Sequence, residues 1–171
     1  MLALASAAAI AAADHRVQQV CIWTPDKDLA QCVRTGRVVQ IDRRTKVVRD
    51  ADGVHAKFGV SPELIPDYLA LVGDSADGYP GIAGIGPKGA ASLIGRYGKI
   101  DQFPPEALKG QMEMALLFKK LATLRTDAPV MANVDELRWL GSTGSFAECC
   151  ARMSATTLPA RAQKAFAAMG K

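Results

Sequence analysis

The sequence predicts an α/β fold in which a partial parallel sheet leads into a helical subdomain built around a glycine hairpin. Three observations carry that expectation. Short β-branched runs crowd the first 50 residues, and apolar spacing turns helical from residue 51 onward. Between two helical stretches stands "GDSADGYPGIAGIGPKGAASLI", residues 73 to 94, where two aspartates precede a dense run of glycines. The expected organisation is residues 1–50 as an α/β layer, 51–131 as the helical subdomain and 132–171 as a helical tail.

Taken in order, residues 3–16 read as an alanine-rich helix, and 17–24 as a mostly buried strand carrying Val17, Val20, Cys21 and Ile22. "TPDKDLAQCV" offers a turn and a helix. "RVVQI" and "KVVR" read as two short strands joined by the charged "DRRT" turn, a hairpin suited to a sheet edge. Asp52 is placed to cap a short helix. In "SPELIPDYLALVG", Ser61 is the N-cap, Pro62 opens the first turn and Gly73 ends the helix. The glycine hairpin runs to Gly86, after which Pro87 opens a helix that Gly98 terminates. "QMEMALLFKKLATLRTD", "SFAECCARMS" and "LPARAQKAFAAMG" complete the helices, and the "FPPE" stretch around Pro104 and Pro105 is the expected internal joint.

Composition narrows the function classes. A chain of 171 residues has room for one domain, or one domain plus a small helical unit. With 22% charged and 49% hydrophobic residues it lies far from the signature of disorder. Its net charge of +4 favours acidic polymers as partners. Four cysteines without C-x-x-C spacing, beside two histidines, leave little for a zinc site and read as free thiols in a reducing compartment. The apolar start resembles a signal-peptide core, yet it lacks a basic leading region and runs on into Asp14, His15 and Arg16, as a buried helix feeding a sheet does. No apolar run approaches the roughly 18 residues of a membrane span. No membrane partner is therefore expected, and the expected location is cytoplasmic.

"GIGPKG" matches the dinucleotide fingerprint G-x-G-x-x-G, but that motif needs a strand immediately before it, and "GYPGIA" is no central strand. A Walker loop fails for want of Gly-Lys-Ser/Thr. The context is instead helix, hairpin, helix, with hairpin N–H groups and a helix N-terminus aimed at phosphate. Gly84, Gly86 and Gly89 let a nucleic-acid backbone approach with no Cβ in the way, and Lys88 adds a point charge. No acid stands between Asp77 and Asp101, whereas Lys88, Arg96 and Lys99 do. A plain turn between packed helices is the alternative. Asp26 and Asp28 follow a strand whose carboxyl edge faces a crevice, and Asp74 and Asp77 flank the start of the hairpin. Carboxylates converging from separate segments are what hard divalent cations require. Each acid also has an everyday alternative, a helix N-cap for Asp26 and a solvated turn for Asp74 or Asp77.

"TPDKDLAQCV", "KFGVSPELIPDYLALVGDSADGYPGIAGIGPKGAASLIGRYG" and "LATLRTDAPV" together resemble the C-terminal half of the bacterial 5′→3′ exonuclease family, the 5′ nuclease of DNA polymerase I and a relative of the flap endonucleases, over residues 3–131. The resemblance implies a PIN-like 5′ nuclease core, of which residues 1–50 are the C-terminal part, and a DNA-binding subdomain of helix-hairpin-helix type. It implies Asp26, Asp28, Asp74 and Asp77 as catalytic metal acids for Mg²⁺ or Mn²⁺, with two ions in a complete site. Gly84, Gly86, Lys88 and Gly89 match the hairpin that holds duplex backbone. Gly89 stands where some relatives carry a basic or polar residue, which implies one weaker phosphate contact. The carbonyls of Ile82 and Ile85 match a potassium site of that hairpin, and Phe58, Leu64, Ile65, Tyr68, Leu69 and Leu71 match its core.

The implied activity is metal-dependent 5′→3′ hydrolysis of duplex DNA bearing a 5′ end or flap, in replication and repair. Further acids and the arch of the family's N-terminal half are not in this sequence, which implies that an N-terminal half or a polymerase partner supplies them. The alternative is a non-catalytic DNA-binding remnant. An RNA-cleaving relative is disfavoured, because the glycine hairpin suits a duplex backbone.

Overall fold

The computed structural model describes residues 2–169; Met1, Gly170 and Lys171, the outer limits of the first and last expected segments, lie outside the described residues. Leu2–Ala13 form α1, with Ala5, Ser6, Ala8 and Ala11 buried along one side. The Ser6 hydroxyl donates to the Arg125 carbonyl at 3.2 Å and accepts the Ala128 N–H at 3.1 Å, so the one polar group on that stripe is satisfied where it is buried. Three strands follow: β1 (Val20–Trp23), β2 (Val38–Ile41) and β3 (Val48–Arg49). β1 pairs parallel with β2 in the register Val20 to Val38, and β3 pairs antiparallel at the other edge of β2. A parallel pair with a hairpin edge is what the short β-branched runs called for. β1 corrects the expectation of a mostly buried strand, since Ile22 is buried whereas Cys21 and Trp23 are exposed. β2 is buried along its whole length.

The helices carry the rest of the core. α2 (Ala51–Phe58) is capped by Asp50, whose Oδ1 accepts the Gly53 N–H at 2.9 Å, and not by Asp52, which lies inside the first turn. The expected helix from Ser61 divides in two: a 3₁₀ turn over Pro62–Leu64, then α3 (Ile65–Val72) with Pro66 in its first turn. Pro66 has no N–H to donate to the carbonyl four residues back, at Pro62, and its ring crowds that carbonyl, which explains the break. α3 is buried from Ile65 to Leu71 and packs against α4 (Pro87–Tyr97) and α5 (Met112–Ala122). Leu69, Leu71, Ile94, Ile100, Leu108 and Phe118 fill that core, joined by Tyr68 and, at its margin, Phe58 and Leu64. A smaller cluster of Ala5, Ala8, Ile22, Leu29 and Val38 lies between α1 and the sheet.

One buried ion pair ties three of these segments together. Asp67 of α3 accepts the Ile100 N–H at 2.8 Å and the Lys119 ammonium of α5 at 2.9 Å. Phe103 and Leu108 are buried in the same core, so the Pro104–Pro105 run is packed chain rather than a joint. The chain divides into compact units at a later point, residues 1–133 and 134–171. The second unit contains α6 (Phe146–Arg152) and α7 (Leu158–Met169), with Trp139 edge-on to Phe166 at 5.7 Å and Cys150 buried. The four cysteines are free thiols. Among the described residues no helix is long and apolar enough to cross a membrane.

Candidate functional site

The loop leaving β1 positions the first acids. Asp26 caps a 3₁₀ helix over Lys27–Cys32: its Oδ1 accepts the Asp28 N–H at 3.1 Å, and its own N–H donates to Thr24 Oγ1 at 3.2 Å. The buried Gln40 of β2 donates its amide to the Asp26 carbonyl, fixing this loop to the centre of the sheet. These bonds turn Asp28 inward, where it is only 2% exposed and its Oδ1 has no hydrogen-bond partner.

The second pair of acids comes from the loop after α3. Gly73 and Gly81 close that loop by backbone contact. Their φ angles are +88° and +75°, and a Cβ at either would stand 2.4 Å from backbone atoms of the other side. Asp74 and Tyr79 exchange backbone hydrogen bonds at 2.8 and 3.1 Å, and Asp74 Oδ1 accepts the Ala76 N–H at 3.0 Å. Held this way, Asp74 is buried, Asp77 is exposed, and one carboxylate oxygen from each of Asp28, Asp74 and Asp77 lies within 4.8 Å of the others. Asp26 is not in this group; its Oδ1 caps the 3₁₀ helix that carries Asp28.

Three acids this close strain their own ionisation. The Asp28 carboxyl is pushed up to about 7, first by burial, then by a hydrogen bond shared with Asp77 and by the negative charges of Asp26, Asp77 and Asp74. Lys27 relieves part of the repulsion with an ion pair to Asp74 Oδ2 at 2.9 Å. The Tyr79 hydroxyl, buried with no partner, is held protonated by burial and then by the charges of the same three aspartates. Three carboxylates, one of them carrying an orphaned buried oxygen, are the donor set that a Mg²⁺- or Mn²⁺-sized cation takes. The residues fit such an ion.

The hairpin follows directly. The Ile82 N–H donates to the Leu71 carbonyl at 2.8 Å, and the Ile82 carbonyl accepts the Ile85 N–H at 3.0 Å, a tight turn anchored on the end of α3. Gly84 sits at φ +82°, a conformation that favours glycine. Gly84, Gly86, Lys88 and Gly89 are all exposed. Gly86 is the N-cap of α4, with an extended backbone that any residue adopts, and a Cβ there would meet nothing within 4 Å. Gly89 has room as well, with Ile85 Cγ2 at 3.7 Å. The fold itself therefore does not require glycine at 86 or 89. The N–H groups of Lys88 and Gly89 precede the first bond of the helix, which Ala90 makes to the Gly86 carbonyl at 2.9 Å.

The structure thus unites Asp28 with Asp74 and Asp77, and puts the expected hairpin residues on one exposed turn. Sequence reasoning missed Lys27, Gln40 and Tyr79. Lys27 had a signal in standing between two acids, and Tyr79 in following Asp77 by two; Gln40 had none.

Three comparisons bear on this arrangement. Residues 60–144 match the family model described as 5′-3′ exonuclease, C-terminal SAM fold. The chain is 39% identical over 145 residues to DNA polymerase I of Pseudomonas aeruginosa, an alignment covering 74% of this chain and 15% of that protein. It is 39% identical to the 5′-3′ exonuclease of Aquifex aeolicus, over 70% of this chain and 44% of that one. It is 38% identical to flap endonuclease Xni of Serratia proteamaculans, over 80% and 57%. The chain spans well under two thirds of the length of each of these relatives. Among solved structures, bacteriophage T5 5′-exonuclease with bound divalent metal ions (zinc) aligns with a TM-score of 0.61 at 18% identity, covering 70% of this chain and 48% of that one. A bacteriophage T5 flap endonuclease in a pseudo-enzyme–product complex with DNA and metal ions aligns with a TM-score of 0.60 at 22% identity, over 70% and 48%. At those identities the likeness is one of fold.

Proposed function

This chain belongs to the 5′-3′ exonuclease family, matching its C-terminal part, and from that premise we propose that it is the metal-binding and duplex-gripping part of a 5′→3′ DNA nuclease or flap-type endonuclease. The observation that carries the proposal is the convergence of Asp28 with Asp74 and Asp77 from two loops far apart in sequence. In this reading those three carboxylates hold a Mg²⁺ or Mn²⁺ ion, and Asp26 supports them by fixing the turn that aims Asp28. A second ion of a complete site draws on further carboxylates. When bound, such ions supply a hydroxide nucleophile and neutralise the leaving oxygen of the phosphodiester.

The grip on duplex falls to this chain's own groups. The N–H donors at the start of α4, together with Lys88, neutralise backbone phosphates. The exposed glycines at 84, 86 and 89 let that backbone come close. Such contacts carry no base information, so affinity is steeply salt-dependent and base preference weak. A potassium ion on the carbonyls of Ile82 and Ile85 would strengthen the same grip. The substrate is duplex DNA with a 5′ end or flap, met in the cytoplasm during replication and repair.

A second reading is favoured by one specific observation. Among the described residues three carboxylates converge, which suits one ion, whereas in-line two-metal cleavage needs more. In that reading the chain by itself binds duplex without cutting it. Incubation with a labelled 5′-flap duplex, in Mg²⁺ and in EDTA, separates the two. Mg²⁺-dependent cleavage that Asp74→Ala abolishes establishes the nuclease. Salt-sensitive duplex binding with no cleavage establishes the second reading, and neither cleavage nor binding overturns both.

A further inference from the structure

Lys27 sits in an uncommon position for a lysine, between the capping Asp26 and the inward-turned Asp28, with its ammonium 2.9 Å from Asp74 Oδ2. The two partners are unequal. The Asp74 side chain is 5% exposed and the Lys27 side chain 38%, so the acid is part of the interior and the cation reaches it from the solvent side. Both line a cleft together with Gly73, Ser75, Gly78 and Tyr79. A buried carboxylate facing two more carboxylates is expensive to keep ionised without a cation. In the metal-free chain Lys27 is that cation.

Resting on the metal-centre reading above, we propose that Lys27 is the resident counter-ion of the acid cluster, giving way to a divalent cation and then serving in the cleft as a phosphate contact. One positive charge thereby does two jobs in sequence. Before loading it neutralises Asp74 and prevents the cluster from forcing the loop open. After loading it is repelled by the ion that has taken its place, and the nearest anion left to it is a phosphate held at that same ion. The exchange makes metal binding and phosphate binding mutually dependent through a single side chain.

The test uses the full chain. Free Mn²⁺ is followed by its electron paramagnetic resonance signal during titration of wild type, Lys27→Met, Lys27→Arg and Asp74→Asn. Removing the competing ammonium is expected to tighten Mn²⁺ binding by about tenfold, the scale of a half-exposed ion pair that no longer has to be broken. Lys27→Arg, which keeps the charge, should stay near wild type. Duplex binding is then measured by anisotropy across a salt series. In Ca²⁺ the salt slope of Lys27→Met should be smaller than that of wild type by about one charge, whereas in EDTA, with Lys27 held by Asp74, the two slopes should coincide. Equal or weaker Mn²⁺ binding by Lys27→Met, or a slope difference already present in EDTA, overturns the inference while leaving the metal centre intact. If wild type and Asp74→Asn alike take up no Mn²⁺, the metal-centre reading itself falls and takes this inference with it.

Discussion

Gly89→Ala separates what the fold needs from what a partner needs, because the two are expected to move in opposite directions. A methyl at this position meets Ile85 Cγ2 at 3.7 Å, an ordinary contact, and the residue lies in the first turn of α4. Replacing a helical glycine that fits alanine without strain removes backbone freedom from the unfolded chain, a gain of about 0.5–1 kcal/mol. For a chain of this size that raises the melting temperature by about 1–4 °C. The same methyl stands on the exposed side of the turn, beside the Lys88 and Gly89 N–H groups that a phosphate would approach. Pushing the phosphate back by the depth of a methyl breaks a charge-assisted hydrogen bond worth about 1.5–3 kcal/mol, which is about tenfold to a hundredfold in affinity.

Gly95→Ala is the matched control. It lies on the same helix, exposed, with nothing within 4 Å of an added Cβ, but two turns from the hairpin. Urea denaturation and anisotropy of a labelled duplex in Ca²⁺ are measured on both variants. Stabilisation by both with weakened binding by Gly89→Ala alone is the expected pattern. If Gly89→Ala is stabilised and binds duplex as wild type does, no backbone comes that close to the turn, and the grip assigned to these glycines is wrong.

Two further outcomes follow from the ionised groups. The Asp28 carboxyl titrates near 7 in the folded chain against 3.8 when free. The folded state therefore holds the extra proton between those values, and in metal-free buffer stability should fall as pH rises from about 4 to about 7; a melting series in EDTA that keeps the same slope in Asp28→Asn would refute the assignment. Asp67→Ala removes the acceptor of the Ile100 N–H and leaves the Lys119 ammonium with Asp101 as its remaining anion. The expected loss is about 3 kcal/mol by urea denaturation, and a loss below about 1 kcal/mol would mean the network does not hold α3 to α5.

The fold class was legible because periodicity reports which side of an element faces apolar neighbours, and that survives without coordinates. Finer choices were not, because they turn on competition between equivalent neighbours. Asp50 and Asp52 both stand where a cap is wanted, and only the path of the chain decides that Asp50 reaches the Gly53 N–H. The acids illustrate the same limit. "DKD" announces two carboxylates, but the spacing does not say which of them the turn buries: Asp26 caps the 3₁₀ helix, and Asp28 is the one aimed inward to meet Asp74 and Asp77. Pro66 broke a helix that apolar spacing alone would have continued.

The site depends most on a feature spread over two positions. Gly73 and Gly81 are individually ordinary, one a helix stop and one a turn residue, and each reading was available from sequence. What sequence cannot express is that a Cβ on Gly81 would stand 2.4 Å from Gly73 N, and one on Gly73 would stand 2.4 Å from the Pro80 carbonyl carbon and 2.7 Å from Gly81 N. That mutual approach closes the loop tightly enough for Asp74 to pair across it with Tyr79 and for Asp77 to swing back toward Asp28. A side chain at either glycine would have to open the loop base, and would separate the carboxylates without altering any of them. The acids supply the chemistry of this site, and the absence of two side chains supplies its geometry.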